Sequence, residues 1–380
     1  MHLYLHIPFC RKACHYCDFH FSTDTDYADR MVNAICTELV LRKSEIKEPL
    51  ETIYFGGGTP SILSKSQLEK IFRLIQDSFL IKETVEITLE ANPDDLSLEK
   101  LIELKEVGIN RLSIGIQSFR EEDLVWMNRS HSANEAIQCV QNAQKIGFSN
   151  ITIDLIYGIP NLSASDFSLR SRDCWEKNLM QAVKLNPQHI SAYCLTIEKK
   201  TVLGHRFNKG EMKPIDEDQA SEQFLFMRDF LLKNGYFQYE VSNFSKSDFE
   251  SKHNTSYWEG KKYSGFGPSA HSYDGTTRRW NVSNNMNYMK GIEEGLDYFE
   301  EETLTESNRI NETIMISLRM VKGLDFTKFE KNFGKENLDL LVEQSQKHIN
   351  NQYLIINKDF LQATPQGLLM IDAICADLFI

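Results

Sequence analysis

Leu3-Tyr4-Leu5-His6-Ile7-Pro8-Phe9-Cys10-Arg11-Lys12-Ala13-Cys14-His15-Tyr16-Cys17 stands at the head of the chain and holds two signals in one run. Leu3–Ile7 is rich in apolar and aromatic residues and stops at a proline, the pattern of a short buried strand. Directly behind it come three cysteines with the spacing Cys10-x3-Cys14-x2-Cys17. In a reducing compartment, thiols crowded into one loop point to metal rather than to disulfides. A cubane iron–sulfur cluster takes one protein ligand per iron, so three cysteines leave one iron open. A structural zinc would demand a fourth, closed ligand, and His6, His15 and His20 stand close enough in sequence to supply it. The remaining cysteines, Cys36, Cys139, Cys174, Cys194 and Cys375, sit in apolar-periodic or strand-like contexts and read as buried thiols.

Working outward, the same strand-then-loop unit recurs. Strands are expected at Leu3–Ile7, Thr52–Phe55, Val85–Ala91, Arg111–Ile116, Ile151–Ile156 and Ile190–Leu195, each bounded by turn residues. Amphipathic helices are expected between them, at Tyr27–Ser44, Ser64–Phe79, Ser97–Val107, Asn134–Ile146 and Asp166–Leu185, with a sixth at Asp216–Lys233. Lys105-Glu-Val-Gly108, Lys145-Ile-Gly147 and Lys233-Asn-Gly235 place a lysine in a last helical turn and a glycine just past it. The lysine suits the negative end of the helix dipole, and glycine takes the left-handed conformation that ends a helix. Repeated βα units imply a parallel sheet. Six of them predict an α/β fold with a partial (β/α)6 barrel over residues 1–240, short of a complete eight-stranded one.

The pattern changes afterwards. Residues 241–300 are rich in Ser, Asn, Gly, His and aromatics with little periodicity, and read as a connecting segment. Residues 301–380 predict helices at Glu306–Val321, Phe326–Phe333 and Lys335–Asn350, strands at Tyr353–Ile356 and Phe360–Ala363, and a helix from Pro365. Three helices and a hairpin make a smaller C-terminal α+β, winged-helix-like domain. Such a topology often meets DNA, but Lys335–Asn350 mixes acids with only two lysines, which favours packing or docking.

Composition narrows the classes further. The 380 residues carry a formal net charge of -12, against the basic balance of a duplex-binding surface, so nucleic acid is not expected as a partner. No run of about eighteen apolar residues occurs, so no membrane span is expected. The opening lacks a basic region, an apolar stretch and a cleavage site, so no signal peptide is read and the expected location is cytoplasmic.

Polar residues then mark the ends of the strands. The second strand runs into Phe55-Gly56-Gly57-Gly58-Thr59-Pro60, where glycines let backbone approach another group closely. Glu90 ends the third strand, Gln117 the fourth, Arg129 follows soon after, and Asp154 lies within the fifth. Polar groups beside apolar strands need partners. Arg129 could simply pair with Glu90 or Asp154 to brace the barrel mouth. Alternatively, successive strand ends line a ligand site, as they do in barrels.

These motifs resemble a known superfamily. Cys-x3-Cys-x-aromatic-Cys, with Tyr16 at the aromatic position, is similar to the signature of radical S-adenosylmethionine (SAM) proteins. The resemblance implies a [4Fe–4S] cluster on Cys10, Cys14 and Cys17, SAM bound through its amino and carboxylate groups to the open iron, and an electron donor for the cluster. Tyr4-Leu5-His6-Ile7-Pro8-Phe9-Cys10, the Gly-Gly-Gly-Thr-Pro loop, Glu90-Ala-Asn-Pro and Gly115-Ile-Gln-Ser-Phe resemble more narrowly the oxygen-independent coproporphyrinogen III oxidases and their haem-chaperone relatives, the HemW type. By that resemblance Tyr4, Gly57, Gly58, Thr59, Glu90, Gln117, Arg129 and Asp154 contact SAM, and Thr196 also matches, with a looser alignment.

Two features separate the branches. The oxidases carry another cysteine two residues after the third cluster ligand, where this chain has Phe19, and a substantial extension before the first strand, which here begins at Leu3. Both favour the haem chaperones, as does His253-Asn254-Thr255-Ser256-Tyr257-Trp258, which resembles the HNxxYW motif of that branch. The resemblance implies that haem is bound, that His253 or the rival His271 ligates its iron, and that Arg278 and Arg279 pair with its propionates, unless they are ordinary surface charges. It also implies delivery to an apo-haemoprotein client, a respiratory one at the membrane, and a homodimer. The alternatives are a coproporphyrinogen oxidase and a radical SAM enzyme acting on another substrate such as RNA.

Overall fold

A computed structural model describes residues 1–160, 167–212 and 214–380. Six parallel strands follow one another in chain order: β1 (His2–Ile7), β2 (Leu50–Gly57), β3 (Ile81–Ala91), β4 (Arg111–Gln117), β5 (Ile151–Tyr157) and β6 (His189–Cys194). Alternation sorts their side chains. Leu3, Leu5 and Ile7 of β1 pack outward beneath the helices, and Tyr4 and His6 line cavities on the other face. The predicted strands and helices are present to within a few residues, except that the first residue of the predicted Asp166–Leu185 helix lies outside the described residues. Gly108 and Gly147 cap their helices with φ of 105° and 92°, as the lysine–glycine punctuation requires.

The stretch after β6 is more than a connector. β7 (Phe237–Glu240) and β8 (Asn243–Ser245) add antiparallel strands beyond β6. β9 (Tyr263–Phe266) lies parallel to β1 on the other side, and β10 (His271–Tyr273), β11 (Thr277–Asn281) and β12 (Phe299–Thr303) continue from it. The result is an open 12-stranded sheet, with β12 and β7 at its edges, rather than a six-stranded one. Phe266, Tyr288 and Tyr298 join the same core as β1–β6. These strands have three to five residues each and little alternation of their own. Their conformation comes from neighbouring strands, which is why periodicity misses them.

The C-terminal unit has a separate core around Ile314, Leu318, Phe329, Leu341 and Leu361. Helices Glu306–Arg319, Phe326–Phe333 and Lys335–Asn350 precede the hairpin β14 (Leu354–Asn357) and β15 (Phe360–Ala363), and β13 (Leu324–Asp325) makes a third strand of that sheet. This is the winged-helix-like arrangement. Among the described residues no helix is long and apolar enough to cross a membrane. Of the cysteines expected to be buried, Cys36, Cys139 and Cys375 are; Cys174 is half-buried, and Cys194, at the end of β6, is exposed.

Candidate functional site

The cysteine loop leaves the carboxyl end of β1 and is tied down from three sides. Gly58 N–H donates to Ile7 carbonyl at 2.9 Å and Thr59 N–H to Phe9 carbonyl at 2.6 Å, which docks the glycine loop under the cysteines. A Cβ on Gly58 would sit 2.6 Å from Phe9 O and 2.9 Å from Phe9 N, both backbone atoms that have nowhere to go. The close approach that the glycines permit is therefore, first of all, to the cluster loop itself. Cys10 N–H donates to Ser22 carbonyl at 3.0 Å and closes the loop from the other end.

Two sulfurs have donors aimed at them. Thr59 Oγ1 lies 3.4 Å from Cys10 Sγ, and Arg129 donates an N–H to Cys14 Sγ at 3.2 Å and to Tyr16 OH at 3.4 Å. Arg129 also donates to Asn92 Oδ1 at 2.7 Å and to Gly115 carbonyl at 2.6 Å, and its Nε has no partner. It forms no ion pair with Glu90 or Asp154, so the barrel-bracing alternative does not hold. Each histidine that could offer zinc a fourth ligand has at least one ring nitrogen engaged. His15 Nδ1 is 2.9 Å from Trp126 carbonyl, His6 Nε2 is 2.9 Å from His20 carbonyl, and His20 Nε2 is 2.7 Å from Asn285 Oδ1.

The donor set suits an iron–sulfur cluster. Burial pushes the Cys10 thiol up to about 12 and raises that of Cys17, so both thiols stay protonated until a metal replaces the proton. Hydrogen bonds to the sulfurs are one of the protein's means of tuning a cluster.

Below this mouth, a cavity of about 210 Å³ is lined by Tyr4, Tyr54, Glu90, Arg111 and Asp154. Glu90 accepts from Tyr54 OH at 2.8 Å and from Gly57 N–H at 3.1 Å. Burial nonetheless raises its carboxyl to about 7, and burial raises that of Asp154 to about 6. Arg111, 1 % exposed, has no hydrogen bond to its Nε, which lies 3.9 Å from Glu86 Oε2. The structure thus brings Tyr4, Gly57, Glu90 and Asp154 together, and sets Thr59, Arg129 and Tyr16 against the cysteines. Gln117 ends β4 in the left-handed region, at φ 69°, beside Gly115 and the Arg129 guanidinium. Thr196 stands apart, exposed just beyond β6.

His253 lines the same inner cavity. It is 2 % exposed, with Nδ1 2.6 Å from Thr52 Oγ1 and Nε2 2.9 Å from Tyr257 OH. Its ring stacks on Tyr54 at 4.8 Å, and its backbone N–H donates to Glu86. His2, Thr52 and Glu86 form one row across β1–β3, whereas the cysteine loop follows the Ile7–Gly57 row. Five residues of strand separate the rows, about 16 Å.

A second opening is much larger. A cleft of about 1130 Å³ runs between the exposed face of β1, β9 and β10 and the C-terminal unit. Its walls include Phe19, Trp258, His271, Arg278, Arg309 and Phe329. Trp258 Nε1 and Arg309 Nε are buried and unpartnered. Phe19 is 75 % exposed at its edge, close to the cluster loop. Tyr4 and Tyr257 line both this cleft and the inner cavity.

Comparison with known proteins bears on this arrangement. Residues 4–169 match the radical SAM superfamily and residues 304–370 the HemN C-terminal domain. The chain is 36% identical to the haem chaperone HemW of Bacillus subtilis, over 97% of this chain and 96% of that one. It is 34% identical to the HemW of Lactococcus lactis, over 96% and 93%. The chain belongs to the HemW family. The coproporphyrinogen III oxidase HemN of Escherichia coli superposes with a TM-score of 0.84 over 99% of this chain and 89% of that one; at 24% identity the likeness is one of fold.

Membership of the radical SAM superfamily implies SAM and a [4Fe–4S] cluster, for which this HemW-family chain has the donor set described above. One functional cluster escapes a sequence reading. Glu38, wholly buried, accepts from Arg42, Gly267 N–H, Asn281 and Tyr288 OH, at 2.7 to 3.1 Å. Arg42, 4 % exposed, reaches on to Gly265 carbonyl at 2.8 Å and Ser272 Oγ at 3.1 Å. This pair holds β9–β11, one wall of the cleft, against the helix Ala28–Leu41. The available signal was an acid on the apolar face of that helix with an arginine four residues on.

Proposed function

We propose that this chain is a haem chaperone that holds haem in the cleft beside the barrel and passes it to an apo-haemoprotein. The observation that carries the reading is the cleft itself. Its volume of about 1130 Å³ slightly exceeds the usual range of a small-molecule site, roughly 300–1,000 Å³. It combines aromatic faces, histidines and arginines, which are the groups that suit a flat, iron-bearing dicarboxylate. The relatives in Bacillus subtilis and Lactococcus lactis are haem chaperones, which points the same way. Phe19, where the oxidase branch has a further cysteine, turns an apolar ring toward the same cleft.

In this reading Cys10, Cys14 and Cys17 hold a [4Fe–4S] cluster, and Tyr4, Tyr16, Gly57, Gly58, Thr59, Glu90, Gln117, Arg129, Asp154 and Thr196 belong to the cluster and SAM environment. When bound, the cluster and SAM supply an electron path and a reducible sulfonium. The chain's own residues orient and shield them: Arg129 sets a fixed positive charge beside Cys14, and Glu90 can keep a proton near neutral pH. We assign residues 1–240 to the radical SAM core, 241–300 to the segment bearing the HNxxYW motif, and 301–380 to the winged-helix-like domain. A cytoplasmic location, an electron donor, a homodimer and a respiratory client at the membrane complete the proposal.

The test is anaerobic reconstitution followed by haem titration of cluster-loaded and cluster-free protein, read at the Soret band. Saturation near one haem per chain, and transfer to an apo-haemoprotein, are expected. Absence of saturable binding in both forms, or conversion of coproporphyrinogen to protoporphyrinogen on chromatography, overturns the reading.

A further inference from the structure

Three histidines line the cleft: His6, His20 and His271. His6 has both ring nitrogens engaged, Nδ1 3.2 Å from Tyr4 OH and Nε2 2.9 Å from His20 carbonyl. His20 has committed Nε2 to Asn285. His253, the histidine of the HNxxYW motif, is buried with both nitrogens taken and does not line the cleft. A metal ligand needs a free lone pair, so His6 and His253 would have to break a bond first, and His20 has only Nδ1 open, on a ring held by Asn285.

His271 differs from all of them. Its residue is exposed, and among the described residues neither ring nitrogen has a hydrogen-bond partner. Its ring stacks on Trp280 across the β10–β11 pair, with centroids 6.2 Å apart and planes 27° from parallel. Burial in the cleft, and then Arg278, lower its pKa, which keeps the imidazole neutral, the form that ligates metals.

The backbone beneath it is fixed. A Cβ on Gly265 would lie 2.1 Å from His271 carbonyl O, so β9 and β10 meet there at a distance only glycine allows. The next residue, Ser272, accepts from Gly265 N–H at 2.9 Å and from Arg42 at 3.1 Å. The buried Glu38–Arg42 pair therefore anchors the strand that presents the imidazole. Cations stand within reach on both walls: Arg278 on β11, paired with Glu312 at 2.8 Å, and Arg309 on the facing helix, with its Nε unpartnered.

We infer that His271, not His253, supplies the axial nitrogen to the haem iron, with Arg278 and Arg309 facing the porphyrin carboxylates. The assignment rests on the haem-carrying reading above. His253 is then a positioning residue: bonded to Thr52 and Glu86, it fixes the helix Lys252–Trp258 that it shares with Tyr257 and Trp258.

The test compares wild type, His271→Gly, His271→Met and His253→Gln as full chains, titrated with haemin and read by absorption and electron paramagnetic resonance. His271→Gly is expected to lose the imidazole-ligated signature and to bind haemin roughly ten-fold more weakly or worse. Millimolar free imidazole is expected to restore that signature, which a merely structural role would not allow. His271→Met is expected to change the ligand signature while the protein stays folded by circular dichroism, and His253→Gln to keep the wild-type signature. An unchanged signature in His271→Gly or His271→Met, or no rescue by imidazole, overturns the assignment while leaving haem carriage intact. A wild type that never saturates with haemin removes both.

Discussion

Replacing Glu38 by alanine is expected to be among the costliest single changes outside the cluster loop. The carboxylate has no solvent exposure and Arg42 has 4 %. Removing one partner of a buried ion pair typically costs about 3–5 kcal/mol, because the other charge is left without compensation. Here Arg42 keeps Glu45 at 2.9 Å, Gly265 carbonyl and Ser272, which moves the cost toward the lower end of that range. Against this, Tyr288 OH and Gly267 N–H lose their acceptor, and an orphaned buried donor costs roughly 1–3 kcal/mol. These contributions overlap, since water entering the vacated space serves several donors at once. We therefore expect a loss of about 4 kcal/mol. Glu38→Leu combined with Arg42→Leu should cost clearly less than the sum of the single changes, because no charge is stranded. The assay is urea denaturation of the metal-free chain followed by circular dichroism, with the slope compared between variants. Hydrogen exchange across 265–281 should rise in Glu38→Ala before global unfolding does. A loss under about 1 kcal/mol, or full additivity in the double variant, would refute the view that this pair clamps the cleft wall.

Other outcomes follow from the site. Cys10→Ser should abolish the broad iron–sulfur absorbance after anaerobic reconstitution; retention of that absorbance would remove Cys10 from the ligand set. Gly58→Ala should displace the cysteine loop, because its Cβ meets Phe9 backbone at 2.6 Å, and should lower cluster occupancy several-fold, whereas Gly210→Ala meets nothing and should cost only about 1–2 kcal/mol for its left-handed backbone; equal occupancy in Gly58→Ala and wild type would count against the docking. Glu90 carries a carboxyl raised by burial from 4.5 to about 7, so the folded chain holds that proton more tightly than the unfolded one. Its stability contribution is present below pH 4.5 and is lost as pH rises through 7. Glu90→Gln should therefore stabilise the metal-free chain by about 3 kcal/mol at pH 8 and by progressively less toward pH 4.5, which thermal melts across that range would check.

Legibility in the sequence followed how local each interaction is. The six βα units could be read because each strand and helix carries its own period and its own terminators, as at Gly108 and Gly147. β8 to β12 could not, because strands such as His271–Tyr273 have three residues and exist only between partners. The cysteine spacing and the glycine loop were visible as motifs, but their mutual docking, Thr59 N–H on Phe9 carbonyl, joins two of them across a fold that the sequence does not draw. The motif around His253 was equally visible, yet its environment was not. Thr52, which takes its Nδ1, lies 201 residues away in the chain, and single-sequence reading has no access to a partner at that distance.

That gap changes what the motif means. His253 stacks on Tyr54, Tyr54 donates to Glu90, and the other oxygen of Glu90 accepts from Gly57 N–H in the loop that docks under the cysteines. On its far side His253 meets Tyr257, whose ring lines both the inner cavity and the large cleft. The HNxxYW segment is thus contiguous, contact by contact, with the glycine loop under the cysteines and with the wall that bears Trp258. Contiguity alone does not make two sites cooperate. It does limit the role His253 can fill: a ring already bonded at both nitrogens and stacked in the interior is built to transmit position rather than to open toward iron. A residue such as His271, fixed from behind by Arg42 and free in front, is built for the opposite task.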